Sequence, residues 1–526
     1  MIYYSHMIPI LSTREATERM NPMKKAGAFL LAALFLFPLA GCGGNRQERQ
    51  QREFDAFIQN EFISAMESDY TTAHIYLQNP ADFGVDAEKI EVSLGARFDE
   101  ESLRRQHEAA ESTAEAFGRF DRSLLTKEQQ DIYDTFEFQL RLSRQMSEER
   151  FFYYEPLFQS MSGLHYQLPT LFADWPLRSE QDAEELAALL WDVRPYVDSA
   201  LEYTRKQAEK GLLMLDLQSV HDYCSGIVES GMDSAVRTSM MANVEALGLP
   251  PEQEESCKRQ LEEAFSGSFL PAFEAICTTM EELQSVRNNE EGVAAFENGK
   301  SYYELLLRQN VGSDKSVEEI RKMMEEQLRT HQANLRRTLL KNPAVLNTIR
   351  TGAFPETGYT GYDQMLSDIR NRMSEDFPEV GALDYEIRDI APELASSSGV
   401  AAYFNIPALD GNPVKQLRVN PNLEGVHTLS VYTTVAHEGF PGHMYQYAFM
   451  YEKVESDYIR ALASVPAYTE GYAVYAQYEA LRYLEGMDPA VLEVYMENEL
   501  LTYCAIILAD IGIHYDGWTL RNLPAL

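Results

Sequence analysis

Apolar residues recur at intervals of three and four along most of this chain. In REFDAFIQNEFISAMESDY (residues 52–70), Phe54, Phe57, Ile58, Phe62 and Ile63 share one stripe of a helix. TKEQQDIYDTFEFQLRLSRQM (126–146) repeats the pattern, as does the stretch 179–212, where Ser179 and an acidic first turn mark a start. Ser316 and Glu319 form a capping-box pair ahead of a further long helix. Strand signals are sparse. The clearest lies at VAAYFNIPALDGNPVKQLRVNP (400–421), where two β-prone runs flank a D-G-N-P turn and predict a hairpin. With no internal repeat and no linker after residue 50, the pattern predicts one large, mainly helical domain.

Composition narrows the partners. A net charge of −37 argues against nucleic acid, which calls for clustered Lys and Arg. The N-terminus carries a different signal. Lys24 and Lys25 precede the apolar run AGAFLLAALFLFPLAGC (26–42), and a polar segment follows. A basic region, a short apolar core and small residues at its end describe an export signal. That core is shorter than the roughly 20 residues of a membrane-spanning helix. Leu39-Ala40-Gly41-Cys42 resembles the bacterial lipobox, so Cys42 is the expected lipidation site and mature terminus. Residues 1–22 then read as a start assigned too far upstream, and 43–526 as the mature domain. The expected location is the outer face of a bacterial membrane, by lipid anchor. Cys224, Cys257, Cys277 and Cys504 show neither C-x-x-C pairing nor zinc-finger spacing, and are expected as buried thiols.

The candidate chemistry lies in the last quarter. VAHEGFPGHMYQ (435–446) begins like the zinc-peptidase pattern H-E-x-x-H, but its second histidine, His443, comes six residues after His437. On an unbroken helix six residues turn through about 600°, which would aim the two imidazoles about 120° apart. Pro441 forbids an unbroken helix and Gly442 adds backbone freedom, so a bulge can return His443 to the first imidazole. The competing reading is a polar turn between two helices, with His437 as a cap and His443 as a surface residue. Apolar flanks on both sides predict that His437 and Glu438 are buried and therefore need a partner. A zinc site also needs a third ligand. Glu470 is one candidate, unless it serves only the dipole of its helix; His427 and His514 are others.

Four stretches then carry a resemblance: REFDAFIQNEFISAMESDYTTAHIYLQNPADFGV, TTVAHEGFPGHMYQ, AYTEGYAVYAQY and LADIGIHYDGWTL. In this order, over residues 52–520, the sequence resembles the DUF885 family, bacterial proteins of the broad zinc-metallopeptidase superfamily. The resemblance implies a mainly α fold: a large helical metallopeptidase-like domain with a small β-hairpin or sheet edging the active-site cleft. Its catalytic part would lie at about 400–526. It further implies one zinc ion held by His437, His443 and Glu470, a peptide substrate, and Glu438 as general base. His514 would donate to the oxyanion, with Tyr515 as a weaker choice, and Gln446 would orient a metal ligand. Many family members carry a histidine where this chain has Met444. The family also continues past the GWT segment, whereas this chain stops at RNLPAL, so a truncated C-terminus is expected. The alternative function is therefore a peptide- or solute-binding lipoprotein with an impaired site. A glycosidase built on paired carboxylates would explain neither the histidines nor the Pro-Gly insertion.

Overall fold

A computed structural model describes residues 45–160, 162–381, 383–390, 401–411, 414–421 and 425–519. The signal segment, Cys42, Asn412 and Pro413 of the predicted turn, and the final residues 520–526 lie outside that set. Among the described residues the chain is mainly helical with one small three-stranded sheet, and no helix is long and apolar enough to cross a membrane.

The predicted helices form where their caps and stripes require. Helix α1 (Arg46–Ser68) is capped by Asn45, whose side chain accepts from the Glu48 amide, and it buries Phe54, Ile58 and Phe62. α2 (Lys127–Met146) opens on a Thr126–Gln129 capping box, and α3 (Glu180–Glu209) on a Ser179–Asp182 box. Pro195 lies inside α3 and cannot donate to the carbonyl of Trp191. Ser268 takes its place: its hydroxyl donates to Trp191 O (3.0 Å) and accepts from Arg194 N (3.0 Å). α4 (Leu217–Ser230) and α5 (Leu270–Leu283) pack with α3 around a core that includes Leu189, Val193, Val197, Phe269 and Phe273.

Helix α6 (Gly299–Val311) leads to α7 (Val317–Lys341), which starts on the Ser316–Glu319 box, and then to α8 (Tyr362–Met373). The sheet follows, with β1 (Tyr385–Asp389), β2 (Ala402–Asn405) and β3 (Lys415–Val419) in the order β1-β3-β2. β2 and β3 pair antiparallel, with Phe404 opposite Leu417. β1 is an addition to the predicted hairpin; it joins β3 in parallel, with Ile387 opposite Leu417.

Four longer helices follow the sheet among the described residues: α9 (Leu429–Glu438), α10 (His443–Lys453), α11 (Pro466–Ala480) and α12 (Pro489–His514). α9 starts on Thr428, whose side chain accepts from Val431 N. It is buried almost all round, as a helix threaded through a core must be. Its neighbours in that core come from α8, the inner sheet residues Ala402, Phe404, Leu417 and Val419, and from α10 and α12. The candidate site is therefore set in a second hydrophobic core, distinct from the one around α3.

Candidate metal centre

The chain does not bulge within one ligand helix. It breaks it. α9 ends at Glu438, four residues form a turn through a cis Phe440–Pro441 peptide, and α10 starts at His443. The turn folds back tightly on the end of α9, with Gly442 N donating to Ala436 O (3.0 Å). A Cβ on Gly442 would stand 1.8 Å from His437 O, so no side chain fits there. From α11, the Tyr472 hydroxyl donates to Pro441 O (2.9 Å) and holds the turn from outside. The outcome is the one the bulge was expected to give: the rings of His437 and His443 lie 4.8 Å apart and nearly perpendicular.

Glu470 reaches both rings. Its Oε2 is 3.2 Å from His437 Nε2, and its Oε1 is 3.5 Å from His443 Nε2. The other ring nitrogens are engaged by amide oxygens, His437 Nδ1 with Gln477 Oε1 (2.8 Å) and His443 Nδ1 with Gln446 Oε1 (3.1 Å). An amide oxygen only accepts, so in each neutral ring Nδ1 carries the proton and Nε2 presents its lone pair. The two Nε2 atoms thus face the two oxygens of one carboxylate. Acceptors turned on one another need a positive charge between them. Where a proton on Nε2 supplies that charge, the ring donates to the carboxylate: burial alone would push the Glu470 carboxyl up, yet the bonds from His437 and His443 hold it at about 2. Burial opposes the charging of His443, but Glu470 and the Glu438 charge outweigh it and raise the ring above its ordinary value.

Glu438 closes the group from another side. Ligand atoms of His437, Glu438 and His443 all lie within 4.8 Å of one another, and all three residues are buried. Glu438 Oε2 accepts from the Phe404 amide on β2 (2.9 Å), which fixes the carboxylate against the sheet. Oε1 is buried with no hydrogen-bond partner among the described residues. Burial pushes this carboxyl above the usual range. A second trio, His74, Asp182 and Glu185, is comparably close, but its atoms are satisfied internally. His74 Nε2 donates to Pro176 O, Tyr70 OH to Glu185 Oε2, and the amides of Arg178 and Ser179 to Asp182 Oδ2. An orphaned buried acceptor is what separates the first group from the second.

His437, Glu438, His443, Gln446 and Glu470 are thus brought together. His514 and Tyr515 are not in contact with them among the described residues. His514 Nδ1 accepts from Val293 N (3.2 Å) and its ring stacks on Tyr303 of α6, while Tyr515 OH donates to Glu304 Oε1 (3.0 Å). His427 pairs with Glu356 (3.3 Å) near the surface. Gln477 was not singled out from the sequence. It stands seven residues after Glu470, two turns along the same face of α11, and that spacing was a usable signal.

Fold and site together define a mainly helical protein whose buried His-Glu-His group can hold a metal ion. The chain belongs to the DUF885 family, described as bacterial protein of unknown function, which matches residues 83–522. A similar solved structure is described as "the putative lipoprotein from Colwellia psychrerythraea". It shares 18% identity at a TM-score of 0.75, over 89% of this chain and 84% of that one, and bears on the fold alone. No curated protein matches the chain.

Proposed function

We propose that this protein is a zinc-dependent peptidase. The observation that carries the reading is the convergence of two Nε2 lone pairs and the Glu470 carboxylate beside a Glu438 oxygen with no partner. Two imidazoles and a carboxylate form a donor set suited to zinc, with room for a fourth position. His437, His443 and Glu470 would hold a zinc ion, which when bound would polarise a carbonyl and acidify water near neutral pH. Gln477 and Gln446 keep both histidines in the ligating tautomer. Glu438, anchored through Oε2, is left with Oε1 to accept a proton from the attacking water and deliver it to the leaving amine. β2 lies directly beside this carboxylate, at the edge of the sheet, in reach of an extended substrate.

The test is metal content and hydrolysis on the same purified chain. We expect close to one zinc per chain, cleavage of a mixed peptide library, and loss of cleavage on chelation with recovery on adding zinc. Folded protein that takes up no zinc would rule the reading out; folded protein that binds zinc yet cleaves nothing would leave a binding module. We further infer attachment to the outer face of a bacterial membrane through Cys42, supported by Leu39–Cys42 and by the lipoprotein description of the similar structure. Radiolabelled palmitate should enter the wild-type chain in bacteria and not Cys42→Ala; equal labelling of both removes this anchor.

A further inference from the structure

Cys224 and Cys277 are 53 positions apart in sequence and take no part in the site above. Cys277 is on α5, and its Sγ lies 3.8 Å from His221 O and 3.7 Å from Ser225 Oγ, both on α4. Cys224 belongs to that same turn of α4, and its thiol interacts with that of Cys277. All four described cysteines are free thiols. Cys257 and Cys504 lie on other helices and are buried.

From this juxtaposition we infer that Cys224 and Cys277 are the site of an intramolecular disulfide that clips α4 to α5, formed by exchange with a small-molecule disulfide. The pair is asymmetric in the way such exchange requires. Cys277 is partly exposed and can meet an oxidant, whereas Cys224 is fully buried and can meet only Cys277. The bond from Cys224 holds the Cys277 thiol down at about 6 against the effect of burial, with Ser225 and His221 assisting and Glu281 opposing. Burial pushes Cys224 well above its ordinary value. Cys277 is therefore the more readily ionised thiol of the pair, and the thiolate is the nucleophile.

The chemistry balances without a further reactant. The Cys277 thiolate attacks one sulfur of the external disulfide, forming a mixed disulfide and expelling the first small thiolate, which takes a proton from solvent. Cys224 then loses its proton and attacks Cys277 Sγ, releasing the second small thiol. Two protein thiols are oxidised by two electrons, and the external disulfide is reduced to two thiols. An exported chain would meet such oxidants outside the cytoplasm.

The experiment uses the full chain, reduced, purified and then exposed to oxidised glutathione at neutral pH. Remaining thiols are alkylated under denaturing conditions and the peptides mapped by mass. We expect one cross-linked peptide joining Cys224 to Cys277, loss of two titratable thiols, and a melting temperature raised by several degrees. Cys224→Ser should yield no cross-link and instead carry one glutathione on Cys277. Two free thiols at these positions after oxidation, or Cys277 linked to Cys257, Cys504 or a second chain, would overturn the inference. Because the cross-link is read on the unmutated protein, misfolding of Cys224→Ser would leave the result decisive.

Discussion

On the proposed reading, Glu438→Gln should abolish peptide hydrolysis while leaving the zinc content unchanged. The substitution keeps the shape of the side chain, and the amide oxygen can still accept from Phe404 N, so the fold and the ring geometry have no reason to move. What disappears is the basic oxygen at Oε1. The expected fall in turnover is about a hundredfold to ten-thousandfold, the usual contribution of a positioned general base. Turnover and zinc stoichiometry are measured on the same sample. Activity within tenfold of the wild type would assign the base to another group; loss of zinc would make Glu438 a ligand instead.

Gly442→Ala should damage the site almost as severely without touching a functional side chain. The reason is space. The added methyl would fall 1.8 Å from His437 O and 2.4 Å from His437 C, both backbone atoms at the end of a buried helix. Relief requires the turn to open, which carries His443 away from His437. The cost should be about 3 kcal/mol or more, in the range of severe core lesions, together with at least a hundredfold weaker zinc binding. Thermal melting and zinc titration measure the two effects. Near-normal zinc affinity would mean that the turn yields without displacing His443.

How much of this was legible in the sequence varies with the range of the interaction. Caps and stripes are local, so Ser179, Thr126 and Ser316 mark helix starts within a residue of where they occur. The hairpin is also local, and β2 and β3 pair as the alternation suggests. β1 was not legible, because YEIRD carries a weak pattern and finds its partner about thirty residues later in parallel. Within the candidate site, helical angles identified the difficulty in the His437–His443 spacing and Pro441 its resolution. That the helix would break outright, rather than bulge, depended on Gly442 packing against the His437 carbonyl, a contact no periodicity contains. Sequence alone leaves Glu470, His427 and His514 as alternatives, because only the packing of α11 brings Glu470 beside both rings and leaves His514 with Val293 and Tyr303. The facing of Cys224 and Cys277 arises only from packing of α4 on α5, which C-x-x-C spacing cannot anticipate.

Helix α11 touches the HEGFPGH segment and the helix leading into it at four points along its length. Glu470 meets both imidazoles, the Tyr472 hydroxyl holds Pro441, Gln477 sets the tautomer of His437, and the Ala480 carbonyl receives the Tyr432 hydroxyl of α9. These groups are tied to one another by helical phase, since each residue turns the helix by about 100°. Length changes before Pro466 leave that phase intact and need only be absorbed by a loop. A single residue gained or lost between Glu470 and Gln477 would rotate one end of the helix against the other, so that the carboxylate and the amide could no longer address the same ring. The centre is thus specified by a reading frame within α11 as much as by the identity of any one residue.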